Sequence, residues 1–474
     1  MGTPTRLATL AFSLLLLAFG AVGCNWTKFD DQAADAPVRS VGAPSGFDSH
    51  DFGKSITPLS TGRGSAAAFV ATSLNGTHVV LVKVDSGGGV KSEAVSDSAL
   101  VAAESSTITS VAEIPGGTPT SLLLGSPRVR DQDFGRVLTY TPPDPANSGM
   151  DDTAKTLLIP LLGSNDPGMG RGLAAGYLDG VAETADYVIG SDNEIAVVID
   201  GVPANTAVGT TTVGVAPLAC DVSYDAQQDN RFAVRRPILA ARLWADPRGA
   251  AVQQLFVGAP RATGTGTLSI LTVANGTLGC LASMAGPSAE FGHALAAGDA
   301  NGDGVNDFLV VGAPGQQAFV YQGWPALVAP ALPAALAITP TPMGVDFGFA
   351  VAALNVDGLP GDEVLISDPR ATVGGKTGAG HVLIYKFDPA ANAMVQVGEI
   401  AAHSPDTDEN FGYTLNVLNF CRDAAAVAAG AVCPPAALSR ILLVGAANEV
   451  FVYFRVGDNI PTPAGQTVAD VRAP

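Results

Sequence analysis

The sequence predicts an all-β fold, a seven-bladed β-propeller of four-stranded blades. Three observations carry that prediction. An apolar phrase ending in small residues recurs seven times. Its copies start at residues 68, 122, 187, 255, 309, 364 and 442, which are 54, 65, 68, 54, 55 and 78 residues apart. Each copy is bracketed by glycine turns and further short apolar runs, enough for four strands per unit. Composition agrees. Of 474 residues 55 are Gly and 33 Pro, while 15% are charged and 6% aromatic, a profile of many short strands joined by turns and not of helical bundles. The hydrophobic fraction of 47% excludes wholesale disorder. The length exceeds what one ordinary core requires, leaving several globular units or one large cyclic architecture. A formal net charge of −19, from 25 basic and 44 acidic residues, repels phosphate backbones and anionic surfaces. It disfavours nucleic acid and favours cations or basic partners.

From the N-terminus, Met1 to Arg6 is a short basic lead and Leu7 to Phe19 an apolar run, the pattern of a secretory signal too short for a permanent membrane span. Gly20-Ala21-Val22-Gly23-Cys24 resembles a bacterial lipobox, and residues 1–24 are read as a lipoprotein signal peptide. The resemblance implies acylation of Cys24, a membrane-anchored chain and, with Asn25 following, delivery to the outer membrane or cell surface. Ordinary signal cleavage with an incidental cysteine is the alternative. Residues 25–49 carry Asp30, Asp31, Asp35, Pro37 and Pro44 without hydrophobic periodicity and are read as a solvated tether. The propeller is placed at 50–457 and a tail at 458–474.

The repeated phrase reads Leu122-Leu123-Leu124-Gly125-Ser126-Pro127, Leu255-Phe256-Val257-Gly258-Ala259-Pro260 and Leu309-Val310-Val311-Gly312-Ala313-Pro314. Looser copies are Val364-Leu365-Ile366-Ser367-Asp368-Pro369, Leu442-Leu443-Val444-Gly445-Ala446-Ala447, Tyr187-Val188-Ile189-Gly190-Ser191-Asp192 and Ala68-Phe69-Val70-Ala71-Thr72-Ser73. Continuous apolar runs mark strands buried on both faces between neighbouring blades, and the small residues are expected where blades crowd toward the central channel. Half-buried strands such as Ala318-Phe319-Val320-Tyr321 follow the phrase, and Leu268 to Val273 is assigned to the remaining strand. A string of β-sandwiches is the competing architecture, but it has no reason to reproduce one phrase in every unit. The ring has to close, either through a segment near Phe47 to Phe52 or through the tail around Thr467 to Val471.

Upstream of four copies stand Phe52-Gly53, Phe291-Gly292, Phe347-Gly348 and Phe411-Gly412. Phe-Gly followed by Gly-Ala-Pro resembles the FG-GAP repeat of integrin α-subunit heads and many bacterial surface proteins. The resemblance spans about residues 50 to 457, sharpest in blades five and six and weakest in one and three. It implies an integrin α-like propeller with calcium loops between strands, serving adhesion or interaction.

Between the Phe-Gly and Gly-Ala-Pro segments of blade five lies Asp299-Ala300-Asn301-Gly302-Asp303-Gly304-Val305-Asn306-Asp307. Oxygens of Asp299, Asn301, Asp303 and Asp307, with the Val305 carbonyl, suit Ca²⁺, which takes six to eight hard oxygens. Clustered carboxylates repel one another unless a cation sits among them. The competing reading is a polar hairpin held by its own hydrogen bonds. The matching loop of blade six offers Asn355, Asp357, Asp362 and Glu363 as a possible second site, with Leu359 in place of a carboxylate. Asp179, Glu183 and Asp186 in blade three have spoiled spacing and read as a plain acidic turn, and Trp244 to Arg248 in blade four collects no oxygens.

Apart from Cys24 four cysteines remain, an even number that suits disulfides in an exported chain. Cys421 and Cys433 bracket an insertion in blade seven, and Cys220 with Cys280 is the remaining pair. A metal site is the rival, without a Cys-x-x-Cys or a His pair to favour it. Of the five histidines, His293 and His381 fall on predicted strands as packed or channel-lining residues. No His-Glu-x-x-His, Gly-x-Ser-x-Gly or P-loop motif is present. The expected function is therefore a non-enzymatic envelope lipoprotein whose propeller face binds a protein or glycan. A propeller enzyme acting on polysaccharide or lipid, and a structural envelope component, remain as alternatives.

Overall fold

The computed structural model describes residues between 38 and 454, apart from 43–48, 61–64, 73–78, 95–107, 109, 116–120, 127–135, 141–154, 158–167, 182–183, 192–194, 200–211, 214–219, 221–236, 245, 247–251, 261–263, 275–276, 289, 316, 325–332, 342–343, 403, 430 and 432. Seven antiparallel sheets of four strands each form a β-propeller. The innermost strands of blades one to seven are Ser55–Leu59, Ser110–Ile114, Gly172–Gly176, Ile238–Ala241, Ala294–Gly298, Val351–Leu354 and Thr414–Cys421. The second strands are Ala67–Thr72, Ser121–Ser126, Asp186–Gly190, Gln254–Ala259, Phe308–Ala313, Glu363–Asp368 and Leu438–Gly445. The apolar part of every copy of the repeated phrase lies on a second strand.

Alternation along these strands builds the core. In blade five Leu309 and Val311 pack toward blade four, while Phe308 and Val310 pack toward blade six. In blade seven Leu442 and Val444 join the blade-six cluster, and Ile441 and Leu443 the blade-one cluster. A strand with both faces against neighbours has no polar side to show, which is why it reads as an unbroken apolar run. Third strands share this fate. Ala318 to Tyr321 is fully buried, not half-buried as expected, and Thr267–Ala274 is the third strand of its blade and not the fourth. Partial exposure begins at fourth strands such as Ala393–Ala401.

The small residues act at the seams between blades, on the Phe-Gly face, and not chiefly around the channel. A β-carbon added to Gly258 of blade four would lie 1.9 Å from the carbonyl oxygen of Gly292, which leads into blade five. Gly312 and Gly348 repeat the contact between blades five and six at 2.2 Å, and Gly445 and Gly53 between seven and one at 1.9 Å. Gly292, Gly348 and Gly412 have φ of 92°, 96° and 91°, a left-handed conformation open to glycine at little cost. The turn amides bond back to the second strand of their own blade, Gly292 N–H to Gly312 O at 3.1 Å and Gly412 N–H to Gly445 O at 3.0 Å. Phe52, Phe291, Phe347 and Phe411 are buried in the seam ahead of their own blades.

Closure corrects the expectation. The outer strand of blade seven is Val38–Gly42, paired antiparallel with Glu449–Tyr453 in the register Val38 to Tyr453 and Gly42 to Glu449. Neither expected segment supplies it, and the stretch read as tether contributes a strand. Arg39, Ser40 and Gly42 hide the strand from a search for apolar runs, because an outermost strand has one open side. Residues 49–54, including Phe52, form a 3₁₀ turn. The signal segment with Cys24, the rest of the tether to residue 37, and residues 455–474 with the alternative closing segment lie outside the described residues. Among those described, no helix is long and apolar enough to cross a membrane.

Gly258→Ala should lower stability by about 1–3 kcal/mol, because its methyl meets backbone that cannot retreat without opening the seam. Gly279→Ala, whose added carbon meets nothing closer than 3.8 Å, should leave the denaturation midpoint unchanged. Equal midpoints for the two variants would remove the seam contact from the account.

Candidate functional site

The connections between first and second strands gather on one face, here the loop face. In blade five the carboxylate of Asp299 accepts from the amides of Asn301 at 3.1 Å, Gly302 at 2.6 Å and Gly304 at 2.6 Å. Asn301 Oδ1 accepts from Asp303 N–H at 2.9 Å and Asp303 Oδ1 from Val305 N–H at 2.8 Å. Asp307 Oδ1 accepts from Ala300 N–H at 2.7 Å, and its Oδ2 from Asn301 Nδ2 at 3.1 Å. Gly302 and Gly304, at φ of 81° and 84°, let the chain turn so that successive amides meet these oxygens. Burial, followed by the charges of Asp299 and Asp303, pushes the Asp307 carboxyl above the usual range, against the lowering bond from Ala300. The loop thus has the self-bonded hairpin of the competing reading and retains the electrostatic strain that a cation relieves. Among the described residues, no three or more His, Cys, Asp or Glu side chains form a group that could hold a metal ion.

Blade six treats its acidic loop differently. Asp357 and Glu363 converge on the ammonium of Lys386, which comes from the third strand, His381–Asp388. Lys386 Nζ bonds Asp357 Oδ2 and meets Glu363 Oε1 as an ion pair at 3.1 Å. Burial pulls the Lys386 ammonium down, but the two carboxylates outweigh it and hold it above its ordinary value. Asn355 is engaged within the loop by Gly358 N–H and by the Leu359 carbonyl. Asp362 turns away. It accepts both arms of a fork from Arg440 Nη1, at 2.7 and 2.9 Å, while Arg440 Nη2 donates to the Ala353 carbonyl at 2.7 Å. Asp362 also receives the Asp299 amide at 3.2 Å, and its own amide donates to Asp299 O at 2.6 Å. The four residues expected around a second metal therefore split between a lysine, an arginine and the loop itself.

A shared rule explains the carboxylate or amide side chain near the start of second strands. Glu363 Oε2 accepts from Val356 N–H at 2.7 Å, Asp186 Oδ2 from Leu178 and Asp179 N–H at 2.7 and 3.1 Å, and Gln254 Oε1 from Leu243 N–H at 3.0 Å. Asp307 does the same in blade five. These side chains close the connecting loop, so the blade-three acids form the plain turn expected of Asp179 and Asp186; Glu183 lies outside the described residues. Both disulfides are present. Cys421–Cys433, with Cα atoms 5.8 Å apart, clips the blade-seven insertion around the short helix Ala424–Ala428, and Cys220–Cys280, at 5.5 Å, ties the segment before blade four to that blade's outer strand.

The opposite face bears the mouth of the central channel, a cavity of about 360 Å³ lined by the inner strands of all seven blades. Its polar walls are stitched from blade to blade. Thr414 donates to Gly53 O at 3.0 Å, Asn416 to Ile56 O at 3.3 Å, Thr57 to Val111 O at 3.1 Å and Ser110 to Gly170 O at 2.6 Å. At the rim, the residue after each Phe-Gly of blades five, six, seven and one forms an arc. His293 and Phe349 rings stand 4.8 Å apart, Phe349 and Tyr413 4.8 Å, and Lys54 Nζ lies 5.3 Å from the Tyr413 ring centre. His293 is thus channel-lining, while His381 pairs with Glu399 at 2.6 Å in blade six. Lys386, Arg440 and the rim arc escaped sequence reasoning. A lone basic residue inside an otherwise apolar strand was the available signal for the first two, and the residue following Phe-Gly for the arc.

Comparison with known proteins gives a partial match. Residues 291–323, from the blade-five Phe-Gly through its third strand, match the FG-GAP repeat family. No curated protein matches the chain.

Lys386→Met should leave Asp357 and Glu363 as an uncompensated pair and make blade six responsive to divalent cations. In calorimetric titration the variant is expected to bind one more calcium per chain than the parent, and in EDTA its melting temperature should fall below the parent's and recover on adding calcium. A variant indifferent to calcium would show that the lysine does not occupy a cation position. Replacing Cys421 and Cys433 with Ser should cost about 3 kcal/mol in denaturant titration, from the entropy regained by the released loop.

Proposed function

We propose that this chain is a non-enzymatic interaction module, a rigid propeller stabilised by calcium and displayed on the cell envelope through lipid on Cys24, with one face binding a protein or glycan. The closed ring of FG-GAP-type seams is the observation that carries the reading. It supplies a rigid platform with two differentiated faces, and the stitched channel wall commits the hydroxyls and amides of Thr57, Ser110, Thr414 and Asn416 to blade-to-blade bonds. Fold alone assigns no partner; the argument rests on how the surface groups are disposed.

Calcium suits the blade-five loop by its donor set. Asp299, Asn301, Asp303 and Asp307, with the Val305 carbonyl, would hold it by turning oxygens from the loop amides to the ion. The ion would favour the charged Asp307 carboxylate that burial, and after it the charges of Asp299 and Asp303, disfavour. Its role there would be to pin the hairpin. Strand direction gives the module an orientation. Val38 pairs with Tyr453 toward the loop face, and Gly42 with Glu449 toward the Phe-Gly face, so a tether leading into Val38 reaches the propeller on the loop side of blade seven. The channel mouth then points away from the anchored surface.

Calcium at 100 times its dissociation constant should stabilise the chain by about 2.7 kcal/mol, read as a higher melting temperature than in EDTA. Asp303→Ala with Asp307→Ala should abolish that difference; identical melting of the parent in calcium and EDTA would remove calcium from the proposal. For the module itself, the immobilised chain should capture a saturable partner from cell-surface extracts without altering it. Conversion of a polysaccharide or lipid at catalytic amounts of protein would overturn the non-enzymatic reading.

A further inference from the structure

We propose that Arg440 of blade seven, acting through Asp362 of blade six, is a positioning residue that sets the affinity of the blade-five loop for calcium. This deepens the calcium reading of that loop and rests on it. The first support is a two-way junction between the loops of blades five and six. The Asp362 amide donates to Asp299 O at 2.6 Å, and the Asp299 amide donates to Asp362 Oδ2 at 3.2 Å. Asp299 opens the blade-five loop, and its backbone donor and acceptor are both held by the neighbouring blade. Close packing continues beside these bonds. A β-carbon added to Gly361, at φ of 103°, would lie 2.5 Å from Ala300 O, and one added to Gly302 would lie 3.1 Å from Pro360 Cα. Backbone rests on backbone here, so a shift of residues 360–362 passes to residues 299–302 with no side chain to absorb it.

The second support is what fixes Asp362. Its side chain is 4% exposed, and a buried carboxylate is costly unless it is paired. Arg440 Nη1 meets both carboxylate oxygens, at 2.7 and 2.9 Å, while Nη2 donates to Ala353 O at 2.7 Å. Ala353 lies on the inner strand of blade six, so one planar guanidinium from the next blade ties the acid to the frame of its own. Asp362 Oδ2, one of the two oxygens Arg440 holds, is also the acceptor of the Asp299 amide. Without Arg440 an unpaired carboxylate is left at the joint between the two loops, which has to rearrange to hydrate it. Asp299, Asn301 and Asp303, which would hold calcium, follow directly from that joint. Outer partners of metal ligands commonly carry about 10–100-fold of metal affinity. Charge alone makes the opposite demand. A guanidinium near the loop repels a cation and an unpaired Asp362 attracts one, so by Coulomb's law removing Arg440 should tighten calcium binding. The sign of the change separates positioning from charge.

The test titrates the full chain with calcium by calorimetry and records melting in EDTA. Arg440→Met is expected to bind calcium about tenfold more weakly than the parent. Leu122→Val, which opens a cavity in the seam between blades one and two, should lower the melting temperature and leave the calcium dissociation constant at the parent's value. Should Arg440→Met fail to fold, Gly361→Ala takes its place; it alters no charge, and several-fold weaker binding is expected from the displaced joint. Calcium binding by the variant that is unchanged or tighter, or an equal loss in Leu122→Val, would overturn the role of Arg440 and leave the calcium reading standing. A parent that takes up no calcium, or whose uptake survives Asp303→Ala with Asp307→Ala, would remove the calcium reading itself and this inference with it.

Discussion

The architecture depends on a backbone contact at the seams between blades. Where Gly258 faces the Gly292 carbonyl, and Gly312 that of Gly348, any side chain would hold two sheets apart. Close approach there lets the apolar second strands press against both neighbours and gives each blade a buried face on either side. Sheets packed through large side chains stand about 10 Å apart; a radial arrangement needs less than that at some point on each wedge. The Phe-Gly turn meets this need while its phenylalanine fills the seam beside it. The two halves of the sequence signature therefore meet across a blade boundary, and within one blade they are joined by turn amides. Blade six varies the scheme. Ser367 and Asp368 replace Gly and Ala, and the Asp368 carboxylate accepts the amides of Val345 and Asp346 at 2.7 and 3.0 Å, tying down the turn that leads into the same blade.

The loop face shows how one backbone hairpin meets one electrostatic problem in several ways. A carboxylate near the start of the second strand closes the loop by accepting an amide, and each further acid then adds repulsion. Blade five keeps three exposed or half-buried aspartates around loop amides. Blade six supplies an ammonium from its own third strand and an arginine from the next blade, and blade seven substitutes a disulfide-clipped insertion. Neighbouring solutions also touch. Asp362 joins Arg440 of blade seven to the Asp299 amide of blade five, so the acidic loops form a continuous belt across three blades.

The sequence makes the ring legible because each second strand must be apolar throughout, a demand no solvent-facing strand imposes. Both disulfide pairs were legible for a different reason, since four cysteines beyond Cys24 leave few partners. In blade six the spacing did not report the partners of Asp362 and Glu363. Their chain positions match those of a metal loop, but the partners that satisfy them, Arg440 and Lys386, lie 78 and 23 residues further on, beyond what local spacing reports. The rim arc went unread because its members are far apart in the chain, 56 positions from His293 to Phe349, 64 from Phe349 to Tyr413 and 359 from Lys54 to Tyr413. Only the seam geometry makes them neighbours.

Closure shows why Val38–Gly42 belongs to blade seven and not to a tether. In six blades the fourth strand comes from the blade's own unit, and the chain runs from it into the next inner strand. Placing the first described strand at the outer edge of blade seven gives the seventh seam the same covalent crossing, since residues after Gly42 lead into the turn at Phe52 and the inner strand of blade one. The joint between the chain's two ends is thereby moved from a seam into a blade, where five residue pairs from Val38 opposite Tyr453 to Gly42 opposite Glu449 hold it as a β-ladder. A seam left without a covalent crossing would rest on side-chain packing and scattered hydrogen bonds such as Thr414 to Gly53 O, whereas a ladder adds a row of directional backbone bonds that water cannot replace one at a time without fraying the strand. The entropic cost of bringing such distant segments together rises only with the logarithm of their separation. A short terminal strand of ordinary composition is therefore sufficient to shut a ring of this size.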